Sequence, residues 1–397
     1  MRTSVFAFAV CVAACASEPA AQHDPYLEDA AFRRATLVAS LVNPDNGYSR
    51  LRLAHYESGG DGDWARLREW NPRVAVVAPA ELDAPHGVDP GAPLGADARA
   101  LDLSDVRDEA ALVALGEQAF FRYPMQLEMT APHAASSRDA FARYGFWTDP
   151  SRGTPLVRVE LDDGSRMLAF TCATCHVGSG MKIGAPNDAL DLGRLAFDVG
   201  ADPVTLGWGP GRVDVTTSRG IEPVRIADLR PVRWLGWLQA DGTVARRDRA
   251  SLAIRIETLI VTSHHENVRP PRVVALALAA YVESLADSLP SAPAPPDVFV
   301  QSCAGCHAPP SYSGAPVALD VVGTDTVIGL SADRGTGKYR VPSLHGVATR
   351  GALMHDESVR DLDALLDPAR AASGAHTFGL ALSDADRAAL RGFLGGL

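Results

Sequence analysis

The 397-residue sequence predicts a mainly α-helical fold built from two units in tandem. Three observations carry that expectation. The pattern Cys-x-x-Cys-His occurs twice, as Cys172-Ala-Thr-Cys175-His176 and as Cys303-Ala-Gly-Cys306-His307. A proline-rich stretch at 290–296, the clearest break in the chain, separates the two copies and reads as a linker. Long segments on either side of it repeat apolar residues at helical spacing.

Cys-x-x-Cys-His is the attachment signature of c-type haem. Two thiols three residues apart lie on one side of a helical turn, within reach of the two vinyl groups of a single porphyrin. The adjoining histidine then reaches the iron as proximal ligand. Other uses of these residues fit less well. A disulfide leaves each histidine unexplained. One zinc ion shared between the motifs would be offered more ligands than a four-coordinate ion accepts. A thioredoxin-type redox pair requires a βαβ setting that neither flank offers. The sequence therefore predicts two covalently attached haem c groups, with His176 and His307 as iron ligands.

Arg2 followed by the apolar run 5–14 and Cys15 reads as a signal peptide. Val12-Ala13-Ala14-Cys15 resembles a lipobox, so residues 1–15 are expected to be removed and Cys15 to carry a lipid anchor; cleavage by an ordinary signal peptidase near Ala16 is the alternative. Either route predicts export to the periplasm, with the lipobox adding membrane attachment.

A tether is expected from Ser17, then a first helix over 26–40. The aromatic- and glycine-rich stretch 43–70 reads as loops over a packed surface. A short strand is expected at 74–77, and a boundary or long surface loop over 79–97. Ser104 has the position of an N-cap, followed by acidic residues in the first turn and a helix that Pro124 ends. Residues 155–169 form an expected hairpin about Asp162-Asp163-Gly164. A strong helix is expected over 271–289, behind the pair Pro270-Pro271. In the last helix, capped by Ser383, Ala385, Ala389, Phe393 and Leu394 are expected on the inner face.

The formal net charge of −11 argues against nucleic acid as a partner and favours a basic redox partner protein.

Several segments together resemble the bacterial dihaem cytochrome c peroxidase superfamily, and within it the branch that includes dihaem rubber oxygenases. Besides the haem motifs they are Leu115-Gly-Glu-Gln-Ala-Phe-Phe121, Trp208-Gly-Pro-Gly-Arg-Val-Asp214, Gly335-Thr-Gly-Lys-Tyr-Arg-Val-Pro-Ser-Leu344, His355-Asp-Glu-Ser-Val359 and Leu365-Leu-Asp-Pro-Ala-Arg370. The resemblance implies two cytochrome c-like haem domains, at 101–289 and 297–397, preceded by an N-terminal extension over 16–100. The first would carry a long insertion between its opening helix and its haem motif. It also implies a six-coordinate haem that passes electrons and another that can open to a small oxidant, peroxide or oxygen. Purely electron-carrying function with both irons six-coordinate is the alternative. The family's calcium ion between the haems is possible, but no carboxylate cluster in the sequence marks it.

The distal ligands stay open at this level. For the second haem, His376 resembles a histidine of the rubber-oxygenase branch, Met354 lies at a plausible interval for a cytochrome methionine, and His355 is a further option. His345 is expected at the surface or beside a haem propionate. For the first haem the options are Met125, Met129, Met181, His133, His264, His265 or an open site, with His133 a possible distal acid or base. Trp208 is the foremost of three tryptophans, with Trp234 and Trp237, that could relay electrons. Arg212 and Arg340 could pair with propionates.

Overall fold

The computed structural model describes residues 24–214, 222–373, 375–379 and 381–397. The expected signal peptide and the lipobox at Cys15 lie outside them. Among the described residues no helix is long and apolar enough to cross a membrane.

The chain opens with a turn of helix at Pro25–Glu28 and then α1 (Ala30–Ser40), whose N-cap Asp29 accepts from the backbone of Ala31 and Phe32. A second helix, α2 (Gly47–His55), occupies part of the stretch expected to be loop. Its local signal is Asn46, whose side chain caps Ser49. Strand β1 (Val74–Val76) follows. Residues 79–97 contain a short helical turn and place Leu82 and Val88 in the core.

Helix α3 (Glu109–Arg122) starts later than expected. Asp108 is its cap, because the Ser104 hydroxyl is engaged by Asp102. Next come β2 (Gln126–Leu127), then β3 (Leu156–Glu160) and β4 (Arg166–Phe170), the two arms of the expected hairpin. The four strands form one antiparallel sheet in the order β1-β3-β4-β2. Helix α4 (Cys172–Cys175) is the single turn that carries the first motif. Helices α5 (Arg249–Ser263) and α6 (Arg272–Ser284) complete this part, with α6 ending in a further turn at Leu285–Ser288. Past the linker come α7 (Asp297–Ser302), α8 (Leu362–Leu366) and α9 (Asp384–Gly395). Ser383 caps α9 as expected, but its inner face is Leu390, Phe393 and Leu394; Ala385 and Ala389 are exposed.

The mainly helical expectation is corrected. Helix accounts for 40% and strand for 12%, spread over several small sheets, which makes the fold mixed α and β. The difference has a local cause. The region between α3 and α5 is punctuated by glycine and proline, and its backbone finds partners in short paired strands and short helices rather than in long helices. Nor does the chain divide visibly into two cytochrome c-like halves. Tyr26, Leu37, Tyr56 and Trp64 of the N-terminal stretch share one core with α3, α5 and α6. A separate cluster gathers around α7, α8 and α9.

Candidate haem-binding cavity

Both Cys-x-x-Cys-His motifs open onto a single cavity of about 1030 Å³. That is at or above the upper end of ordinary small-molecule sites, roughly 300–1,000 Å³. All four cysteines and both histidines line it.

The first motif leaves the end of β4 and is clamped on its outer side. The Thr171 and Thr174 hydroxyls both donate to the Pro155 carbonyl, at 3.0 and 3.1 Å. Trp147 Nε1 donates to Ala173 O at 2.8 Å, and the Asn187 backbone N–H donates to Cys175 O. Burial pushes the Cys172 and Cys175 thiols up to about 12, so they are neutral and, in the folded chain, not bonded to one another. The second motif follows α7, with the Cys303 and His307 N–H groups donating to Phe299 O and Cys303 O. Packing of Phe299, Tyr312 and Phe393 supports it from below.

The two histidines are held in the same way. His176 Nδ1 lies 3.0 Å from Ala227 O, and His307 Nδ1 lies 2.9 Å from Tyr312 O. A carbonyl oxygen only accepts, so each Nδ1 carries the hydrogen and each Nε2 keeps a lone pair. Burial holds both imidazoles below their usual value, His176 to about 4, which keeps them in the neutral form that binds metal.

Opposite His307 stands His376, with ring centres 6.4 Å apart. Two imidazoles bound through one nitrogen each, at about 2.0–2.1 Å on opposite sides of one ion, have ring centres about 6.3 Å apart. Burial, with His307 adding to it, lowers His376 to about 4, and its Nδ1 is buried without a partner. The backbone fixes the ring from both ends: His376 N–H donates to Val322 O and Arg370 donates to His376 O. Met354 also lines the cavity, and it packs partly on the α7–α9 core.

Around the first motif the options narrow. Met125 and His265 line the cavity, whereas Met181, Met129, His133 and His264 do not. His133 is exposed and meets the Tyr144 hydroxyl at 3.1 Å, which removes it as a distal acid or base. Among the described residues no imidazole faces His176 as His376 faces His307.

Trp208 lines the cavity, while Trp234 and Trp237 do not. Trp234 instead packs on His345, and His345 on Tyr312. His345 is therefore buried, 3% exposed, with Nε2 on Pro310 O, and not at the surface as expected. Arg212 donates to Pro223 O and is not part of the wall; Arg340 is.

Sequence reasoning missed Arg52 of α2 and Arg255 of α5, which also line the cavity. Arg52 lies over the Tyr48 ring, 3.4 Å from its centroid, and Arg255 has a buried guanidinium nitrogen without a partner. Burial lowers Arg52 and Arg340 to about 10. Among the described residues none of the three forms an ion pair with a carboxylate; Arg52 donates to Thr258 Oγ1 and Tyr48 O and Arg340 to Gln239 O, so the largely apolar wall holds cations whose charge is not neutralised by a direct partner. A porphyrin, with an apolar ring and two carboxylates, matches that wall, and the thiol and imidazole set matches its vinyl groups and iron. The residues present fit the group.

The chain matches no family model, no curated protein and no solved structure in the comparisons made with known proteins.

Proposed function

We propose that the protein is an exported, lipid-anchored dihaem c-type cytochrome that transfers electrons, of the kind its sequence resembles. The observation that carries this reading is the shared construction of the two motifs: paired thiols and a neutral histidine held through Nδ1, all of them lining one large cavity. Haem bound there supplies one-electron storage and release at iron. The chain's part is to hold and tune it. Cys172 and Cys175, and Cys303 and Cys306, give thioether anchorage. His176 and His307 would supply a nitrogen to each iron, and His376 would supply a further one beside His307. Arg340, Arg52 and Arg255 supply charge for the propionates.

Among the described residues the first motif has no matching second imidazole, and this favours a peroxidase- or oxygenase-like reaction on that side over a pure carrier. Met125, His265 and Trp208 border the shared cavity.

Expression with a c-type maturation system tests the assignment. The expected product stains for haem and weighs two haem groups more than its mature polypeptide. A colourless chain with four titratable thiols overturns the reading. Carbon monoxide uptake by one reduced haem is expected; uptake by neither leaves the carrier function alone.

A further inference from the structure

His355, which lines the same cavity as the two motifs, stands with Asp325 and Asp356, and the three bring one ligand atom each within 4.8 Å of one another. We infer that these three side chains form a binding site for a divalent borderline cation of the zinc type, which ties the 324–328 loop to the 354–358 loop.

The donors are arranged from outside. His355 Nδ1 lies 3.2 Å from the Thr324 hydroxyl, and the ring stacks on Tyr339 with centres 4.0 Å apart. The Tyr339 hydroxyl in turn donates to Asp325 O and accepts from the Gly329 N–H. With Nδ1 occupied, His355 presents Nε2, which is buried and makes no hydrogen bond although Asp325 Oδ2 is 3.3 Å away. Each carboxylate spends one oxygen on the backbone. Asp325 Oδ1 accepts from Val327 N–H, and Asp356 Oδ1 accepts from Ser358 N–H. Their second oxygens remain available. In the tautomer whose Nδ1–H donates to the Thr324 hydroxyl, the Nε2 lone pair facing a carboxylate oxygen at this separation is repulsive unless something positive lies between them. For a tetrahedral ion with bonds of about 2.0–2.1 Å, neighbouring donors are about 3.3 Å apart.

The donor set also selects the ion. Calcium takes six to eight oxygens and has no use for an imidazole, whereas one nitrogen, two carboxylates and a solvent position suit zinc. Asp325 is half exposed, which leaves room for that solvent ligand. Residue pairs of this kind also occur as a plain protonated histidine–aspartate ion pair, and metal uptake separates the two.

The claim does not rest on the haem assignment. Full-length mature protein, stripped with chelator, is dialysed against zinc chloride, and metal and haem are counted on the same sample. One zinc per chain is expected, unaffected by excess calcium and with a raised thermal midpoint. Asp325→Asn, Asp356→Asn and His355→Gln should each weaken zinc at least tenfold, and the two aspartate variants, at residues outside the cavity wall, should keep haem content unchanged; the exposed neighbour Asp320→Asn should not weaken zinc. Three separate variants guard against one of them failing to fold. Sub-stoichiometric zinc in the wild type overturns the site, as does zinc that survives all three substitutions. Free thiols in a haem-less chain would also take zinc, but the aspartate variants would leave that uptake untouched, so loss of haem and loss of this site show separately.

Discussion

His376 and Met354 both border the cavity, yet only His376 has its ring set against His307 at the spacing one metal ion requires. On the proposed dihaem reading, replacing His376 by Ala should therefore convert the low-spin ferric signal of the second haem to high spin and add a second site of carbon monoxide uptake, with both haems still attached. Met354→Leu should leave the electron paramagnetic resonance spectrum unchanged. The converse result would transfer the ligand role to Met354. His264 offers a test by titration. Burial lowers its pKa below the usual imidazole value, and its Nε2 meets Pro124 O at 2.9 Å as a donor. The unfolded chain then takes up more protons as pH falls below about 6.5, so the stability His264 contributes is complete above that pH and is lost toward the folded value. In urea unfolding the wild type should lose ground to His264→Gln between pH 7 and pH 5. Parallel curves would show that His264 has no part in the pH dependence. At this scale the sequence was most legible where chemistry is written in adjacent residues. Cys172, Cys175 and His176 declare themselves, whereas Arg52 and Arg255 acquire meaning only when α2 and α5 are brought together.

Among the elements, the crossing of α3 and α6 is the most extensive helix contact in the molecule. It depends on Gly116. A Cβ there would lie 2.0 Å from Ala277 O and 2.6 Å from Tyr281 Cβ, and the former is backbone that cannot swing aside. An alanine in a helix usually gains about 0.5–1 kcal/mol over glycine. Here the overlap should outweigh that gain. Gly116→Val should lower unfolding stability by about 1–3 kcal/mol, seen as an earlier urea midpoint at constant slope; an unchanged midpoint would mean the helices separate at little cost. Both helices were readable from apolar spacing, and the β3–β4 hairpin from its Asp-Asp-Gly turn. Helix α2 was not, because aromatic and glycine residues around it suggest loop, and its burial against α5 decides its conformation. The start of α3 was misplaced by one competing bond, that of Ser104 to Asp102.

The whole molecule is held together by contacts between distant parts of the chain. Glu257 of α5, 2% exposed, accepts from the hydroxyls of Tyr26 and Tyr56 at 2.8 and 2.7 Å, and Arg272 lies 3.7 Å away. Burial raises its pKa, against the pull of Arg272 and the two tyrosines. Removing one partner of such a buried arrangement costs about 3–5 kcal/mol. Glu257→Ala should show that loss and should make the first hundred residues newly sensitive to protease; intact resistance would place the anchor elsewhere. No pattern in the sequence announced this contact, since it joins positions 231 apart. The mixed α and β architecture was hidden for the same reason: two-residue strands carry no periodicity, and their partners are chosen by the tertiary fold.

The N-terminal stretch also reaches past the linker. Asn43 donates to Gly335 O at 2.7 Å across 292 positions, and the Gly47 and Tyr48 N–H groups donate to Ala332 O and Asp333 O. Tyr48 and Arg52, just beyond, are part of the cavity wall. Translation delivers these residues early and their partners near the end, so the wall cannot be finished until most of the polypeptide exists. The seating of α2 against residues 332–335 is accordingly a late step, and it is the one that brings Tyr48 and Arg52 to the wall.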